Sequence, residues 1–485
     1  SGTERAVLDP RNIPADLAAL TDEERRRRER AREGAGGVVS YSCDADATKA
    51  VTVLGGQLFV VDLLTDAVST PAVAPGVFDA RLSPDGTRIA YVRGASLCVC
   101  DSAGNERVIA HEDSANVSWG SADFVAAEEM GRQRGYWWSP DGTHIAACRV
   151  DESPVDVWHI ADPAHPERGA VEHRYPAAGT QNALVELAVI NVATTARVPV
   201  LLPVHHEYLN SVSWTDGGLI AQTQTRDQRA VTVSRIDPST GDCTTVFEDI
   251  DDAWVELVPG VPFADAHGHL VTCADRDGVR RVLVDGTPVT PRHLQVRGVI
   301  SGGSRIVFLA NETDTPWVHN IFSVNSDGSD LQNVHPLDGI VSGTSLGSTT
   351  VVRTSSLDSS RASFSVLLDN REIGIRSLAE EPLVSPNVRI TTVGPRNIPI
   401  AILTPRDGKD TKLPVLFDPY GGPHAQRVLS SNAAFATSQW FADQGFVVVV
   451  ADNRGTPGRG SDWERDVLHD LAGPVLDDQL AVARA

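Results

Sequence analysis

A chain of 485 residues with 64 acidic and 42 basic side chains has a formal net charge of −22 and would be repelled by phosphate backbones and anionic lipid surfaces over most of its exterior. Nucleic acid and membrane surfaces are therefore not expected partners. The length exceeds one ordinary core, so two domains are expected, although repeat folds can run longer.

Six cysteines (Cys43, Cys98, Cys100, Cys148, Cys243 and Cys273) lack paired metal spacing, and in so long a chain they read as small buried hydrophobes rather than a disulfide framework. That favours a reducing, cytoplasmic setting. Cys98 and Cys100 form a C-x-C that a strand would place on one face, as two core positions or, less simply, a metal pair. No run of 18 apolar residues is present, and the start SGTERAVLDP has no apolar signal region. The chain begins without methionine, so an export signal removed earlier is compatible with the sequence.

Residues 1–37 read as a short helical segment, expected to pack on the side of the second domain. Thr21 and Glu24 match a capping box, Asp22 and Glu23 suit a helix N-terminus, and Gly34 suits a stop. Arg25 to Arg28 are interleaved with Glu24, Glu29 and Glu33, which predicts a solvated helix with i,i+4 pairs rather than a basic binding patch.

From 38 to 380 the chain is a succession of short β-type runs broken by Gly, Asp, Ser and Pro. A turn phrase recurs as LSPDGTRIAYVR (82–93), WWSPDGTHIAACRV (137–150) and, more weakly, SVNSDGSDLQNV (323–334). Asp-Gly followed by alternating apolar residues is hairpin chemistry. Repeated four-strand units of this kind predict a β-propeller of seven or eight blades, eight favoured, at roughly 40–50 residues each, with an array of two-sheet sandwiches as the rival.

From 381 to 485 the texture changes. RITTVGPRNIPIAILTP reads as a hairpin and LPVLFDPYGG as a strand entering a turn. SSNAAFATSQWFADQG reads as a helix stopped at Gly445, FVVVVADNRG as a buried strand, and LAGPVLDDQLAVARA as a further helix. This order is α/β, with apolar strands covered on both faces. The fold class expected overall is mostly β, a propeller followed by the incomplete start of an α/β domain, which the family resemblance of the phrases below implies is an α/β-hydrolase domain.

The phrases AEEMGRQRGYWWSPDG (127–142), RVDESPV (149–155), HRYPAAGTQNALVELAVINV (173–192), DPYGGPHAQ (418–426) and ADNRGTPGRGSDW (451–463), in this order, resemble the prolyl oligopeptidase family of serine peptidases, in its dipeptidyl peptidase IV branch. The resemblance implies that the double glutamate Glu128-Glu129 projects into the propeller cavity and binds the free amino terminus of a peptide. Adjacent residues on a strand face opposite ways, so two acids serving one ligand need a helical turn or bulge. An ammonium has three donors and can be shared between two carboxylates. The plainer reading is that the two acids pair internally with Arg132 or Arg134.

The resemblance further implies that Tyr420 donates to the tetrahedral oxyanion, against the alternative that it packs beneath the Gly421-Gly422-Pro423 turn. His424 has no implied role. A nucleophile elbow with its Asp and His partners is not found in the sequence, so the 485 residues by themselves are expected to be inactive. The one literal G-x-S-x-G, at 343–347 around Ser345, precedes a β-run and reads as a chance match. His205-His206-Glu207 lacks a spaced third metal ligand and reads as a polar loop; no metal or cofactor is expected.

The expected function is release of N-terminal dipeptides, Xaa-Pro or Xaa-Ala, from peptides with a free amino end. A non-catalytic propeller that captures peptide amino termini or a protein partner is the alternative from another class. A broader oligopeptidase or acylaminoacyl peptidase is the alternative within the family. Homodimers are common among similar enzymes, but no interface is visible in the sequence.

Overall fold

The computed structural model describes residues 4–13, 24–25, 28–29, 32, 37–215, 217–368, 371–408 and 412–485. The expected capping box at Thr21, with Asp22 and Glu23, and the stop at Gly34 lie outside these residues. Glu24 and Arg28 are helical and form the anticipated i,i+4 ion pair at 2.6 Å.

The chain divides into two compact units, 1–250 and 251–485. The first holds antiparallel sheets spanning 42–69, 77–110, 117–199 and 208–250, and the second holds three more at 263–288, 294–333 and 339–375. Seven such sheets among the described residues lie at the lower end of the expected range.

The way these sheets stack separates a propeller from a sandwich. In the first unit, Tyr91, Cys98 and Cys100 pack with Val51 and Leu58 of the preceding sheet. Leu97 and Val99 pack with Tyr136, Ile145 and Ile190 of the following one, so the middle sheet is covered on both faces. Trp137 and Leu187 carry the packing on to Leu209 and Leu219. A sandwich sheet would have one face covered; here the sheets at 77–110 and 117–199 each serve as a layer between two neighbours. The C-x-C cysteines are core, as the simpler reading held, and burial pushes Cys98 and Cys100 up to about 11 and 12.

The repeated turn phrase has the same local chemistry each time. In the first, Ser83 Oγ donates to Asp85 (2.5 Å) while Thr87 N and Oγ1 donate to the two oxygens of Asp85 at 3.1 and 2.7 Å. Ser139, Asp141 and Thr143 repeat the set at 2.5, 3.0 and 2.7 Å. Gly86 and Gly142 both sit at φ +66°, where a side chain would be strained. The weaker third copy keeps Asp327 as acceptor, with Ser329 as donor at 2.9 and 2.6 Å.

After 380 a mixed sheet forms. Val388–Val393 and Ile398–Leu403 make the expected hairpin, and Val447–Ala451 pairs antiparallel with Ile398–Leu403 and parallel with Val415–Phe417. Val448 and Val450 pack on one face with Phe435 and Ala442, Val449 and Ala451 on the other with Val482. This is why FVVVV carries no polar alternation. Helix Ala436–Asp443 gives way at Gly445 (φ +100°), and helix Gly473–Arg484 follows. No described helix is long and apolar enough to cross a membrane.

Candidate functional site

Glu128 and Glu129 end a short helix, Phe124–Glu129. Asp123 caps it by accepting from Ala126 N at 3.1 Å, and Ala126 and Ala127 are its buried face. The helical turn that two adjacent acids require is therefore present. Its C-terminal end also carries partial negative charge, which together with two carboxylates favours a cation there.

The helix is clipped in place by Arg132, whose side chain is only 4% exposed. Its guanidinium donates to Asp123 (2.7 Å), to the Leu209 carbonyl (2.9 Å) and to the Arg134 carbonyl (3.0 Å). Gln133 Nε2 donates to the Ala127 carbonyl at 2.6 Å. Arg134 stands 5.4 Å over the Trp137 ring, and burial lowers it to about 10. Neither arginine neutralises the glutamate pair, so the internal-pairing alternative does not hold for these two residues. Glu128 instead faces Arg32 at 3.7 Å, a side chain 81% exposed, while Glu129 is exposed. Glu128 lines an open cavity of about 720 Å³ together with Phe124, Glu152, Trp158 and Tyr175.

Tyr420 belongs to the second unit, on the loop after strand Val415–Phe417, and is 47% exposed. A Cβ at Gly422 would lie 2.7 Å from the Tyr420 ring, so glycine there is what allows the phenol to lie over the turn. The ring packs on the turn, yet among the described residues its hydroxyl has no hydrogen-bond partner and is free to donate. His424 is exposed.

The loop that carries Tyr420 is anchored by Asp452, which accepts from Arg427 N (2.9 Å) and Val428 N (3.0 Å). Gln426, beside them, accepts from Arg297 at 2.5 Å and donates to the Pro316 carbonyl at 2.8 Å. His319 completes this buried group, and burial lowers it to about 3, so it is neutral.

Burial raises Asp452 to about 6 against the two backbone donors that favour its charge. Its ordinary value is 3.8, so the folded chain holds the extra proton between pH ~4 and ~6, and stability falls as pH rises through that window. The expected loss by pH 7 is about 3 kcal/mol. Denaturation midpoints of the native protein and Asp452→Asn across pH 4 to 7 should diverge by that amount in the acid-favouring direction; a pH-independent difference would refute the assignment.

Ser345 lies within strand Gly339–Leu346, buried and 2.9 Å from Thr350 Oγ1, which confirms it as a chance G-x-S-x-G match. His206 rests 3.1 Å from Thr223 Oγ1, and Glu207 pairs with Arg226 at 3.1 Å, as parts of a polar loop. Sequence reasoning did not single out Glu152, Trp158 or Tyr175, although Glu152 and Tyr175 fall inside two of the quoted phrases.

Blade-type sheets are followed by the opening strands and helices of an α/β-hydrolase-type sheet, and the first unit carries adjacent carboxylates of which Glu128 lines a cavity. Residues 52–341 match the family pattern described as the dipeptidyl peptidase IV N-terminal region, and 432–485 match the prolyl oligopeptidase family. The chain belongs to the prolyl oligopeptidase family, in its dipeptidyl peptidase IV branch.

It is similar to the Probable dipeptidyl-aminopeptidase B of Ajellomyces dermatitidis (25% identity; 84% of this chain and 51% of the relative). The protein of the same name from Arthroderma otae is 24% identical over 88% of this chain and 53% of its own length. The chain thus spans about half the length of the curated relatives it matches. Among solved structures, Porphyromonas gingivalis dipeptidyl peptidase 4 superposes with a TM-score of 0.80 at 22% identity, over 94% of this chain and 70% of that one, which shows a shared fold.

Proposed function

We propose that this chain is the substrate-recognising propeller and the first part of the catalytic domain of a serine exopeptidase that releases dipeptides from free peptide amino termini, with proline or alanine second. The observation that carries this reading is the end of helix Phe124–Glu129, where two adjacent carboxylates pair with neither Arg132 nor Arg134 and Glu128, opposite only the exposed Arg32, lines a cavity. A peptide ammonium shared by Glu128 and Glu129 is held at a fixed depth. An acetylated peptide would bring no cation and leave the half-buried acid uncompensated.

In such an enzyme a serine activated by histidine attacks the carbonyl, and the acyl-enzyme is released by water. The share of that work assigned to this chain is to hold the amino end and to present the Tyr420 hydroxyl to the oxyanion. A cytoplasmic setting belongs to the same reading, supported by six unpaired cysteines.

The test is to incubate the full-length protein with Ala-Pro-initiated peptides, free and N-acetylated, and follow products by mass spectrometry. Dipeptide should appear from the free peptide alone. Equal cleavage of both would favour the broader oligopeptidase, and capture of the free peptide without cleavage would favour the binding module.

A further inference from the structure

Residues 419–425, Tyr420 among them, make no hydrogen bond among the described residues, so the two ends of the loop set the place of the phenol. At the near end Asp418 N donates to the Val449 carbonyl at 2.9 Å, and the Asp418 carboxylate accepts from Arg427 (2.7 Å) and Ser438 Oγ (3.1 Å). At the far end Asp452 holds Arg427 and Val428, which leaves Gln426 as the last anchored residue before the unbonded run. Gln426 Nε2 donates to the Pro316 carbonyl (2.8 Å) and the Val428 carbonyl (3.2 Å). Its Oε1 is thereby turned toward Arg297 Nη2 at 2.5 Å and His319 Nε2 at 3.3 Å.

Arg297 reaches this point through an irregularity in strand Leu294–Gly302. Val296 pairs with Ala310 and Gly298 with Leu309, so Arg297 is an extra residue with no partner across the ladder, the bulge geometry that re-aims a side chain. Its Nε donates to Asn311 Oδ1 at 2.6 Å, and Asn311 Nδ2 donates to the Gly458 carbonyl at 2.8 Å. Gly458 sits at φ +107°, and a Cβ there would lie 2.3 Å from Arg297 Nη2, so glycine is what admits the guanidinium.

The hydrogen-bond partners of Arg297 are neutral amides, and burial lowers it to about 10 against the pull of Glu464 and Asp452. A desolvated cation without a close counter-charge does not favour folding. What it supplies is direction: a planar fork fixed by Asn311 orients one amide, and that amide closes the loop that carries Tyr420. We infer that Arg297 is a positioning residue for the oxyanion contact, holding the loop through Gln426 so that the Tyr420 hydroxyl stays where negative charge develops on the substrate carbonyl. The inference rests on the reading of Tyr420 as an oxyanion donor. That contact strengthens only as the carbonyl becomes tetrahedral, so loss of Arg297 lowers kcat and leaves substrate binding alone.

The test is steady-state cleavage of Ala-Pro p-nitroanilide by the full-length protein carrying Arg297→Met, Gln426→Met or Tyr420→Phe, and by each methionine variant combined with Tyr420→Phe, with thermal midpoints alongside. Tyr420→Phe should lower kcat about 100- to 1,000-fold. Arg297→Met and Gln426→Met should each lower it about 10- to 100-fold, with KM within about twofold of the native value. Added to Tyr420→Phe, either methionine should lower kcat by about twofold at most, because the group it positions is already gone. Losses that multiply in the double variants, or methionine variants with native kcat, would overturn the inference while leaving the Tyr420 contact standing. An unchanged kcat for Tyr420→Phe would instead remove that contact, and the inference with it. If Arg297→Met alone does not fold, Gln426→Met decides by the same criteria; failure of both to melt cooperatively would show that the clamp serves the fold and would refute the inference.

Discussion

Replacing both Glu128 and Glu129 by alanine should slow turnover of free-amine dipeptide substrates by the full-length protein by about 30- to 4,000-fold, the cost of truncating one side of a desolvated charge pair. The two contributions should be unequal. Glu128 has a side chain 23% exposed and lines the cavity, whereas Glu129 is exposed and its interaction is screened by water. Glu128→Ala alone should therefore account for most of the loss. The contact with Arg32 should change this little, since that side chain is 81% exposed and an incoming ammonium can displace it. Substrates with a blocked amino end should be turned over no worse by the double variant than by the native protein. Unchanged kcat/KM on the free-amine substrates would end the proposed role of the pair.

Glu464→Ala should lower the stability of the second unit by about 3–5 kcal/mol, because it leaves a buried guanidinium without its main counter-charge. Glu464 and Arg280 meet at 2.9 Å with side chains 7% and 9% exposed. Burial works against the charge of Arg280, yet Glu464 and Asp275 together hold its pKa above the ordinary value. Asp275 cannot take over, since it lies 3.4 Å from Arg280 and is shared with Arg465 at 2.9 Å. Glu464 also accepts from Gln295 Nε2 (3.4 Å) and Gly458 N (3.3 Å), so its loss leaves further donors unsatisfied. The control is the double variant Arg280→Met with Glu464→Leu, which removes both charges and should recover much of the lost thermal midpoint. A double variant as unstable as Glu464→Ala alone would show that packing, not the unpaired charge, sets the cost.

These two predictions mark the division between what the sequence reveals and what it hides. The Ser-Pro-Asp-Gly-Thr turns were legible because their hydrogen bonds close within five residues, as from Ser83 to Arg88. The unbroken apolar run of FVVVV announced a strand covered on both faces, and Gly445 announced the helix stop. The glutamate pair stood out because adjacent acids before an aromatic strand demand a local reason. Arg280 and Glu464 are 184 residues apart, and nothing near either names the other. The same holds for Arg297 and Gln426, and for Arg132 with the Leu209 carbonyl. The hairpin at 157–174 was hidden for a different reason: its alternation matches that of an ordinary blade strand, so its separation as a two-stranded sheet could not be read. The alternative, Arg132 or Arg134 as partner for the acids, rested on sequence proximity alone; Arg132 goes to the helix cap at Asp123 and Arg134 to the Trp137 ring.

Under the proposed function, Arg132 bears on the accuracy of cutting. One guanidinium joins the start of the acid-bearing helix to the strand that begins the following sheet, so the spot where an amino end would rest inherits the stiffness of two layers of backbone. A substitution that loosened this tie while sparing both glutamates would leave capture largely intact but let the anchored end wander by some fraction of a residue. Its signature would be fragments of the wrong length rather than fewer of them.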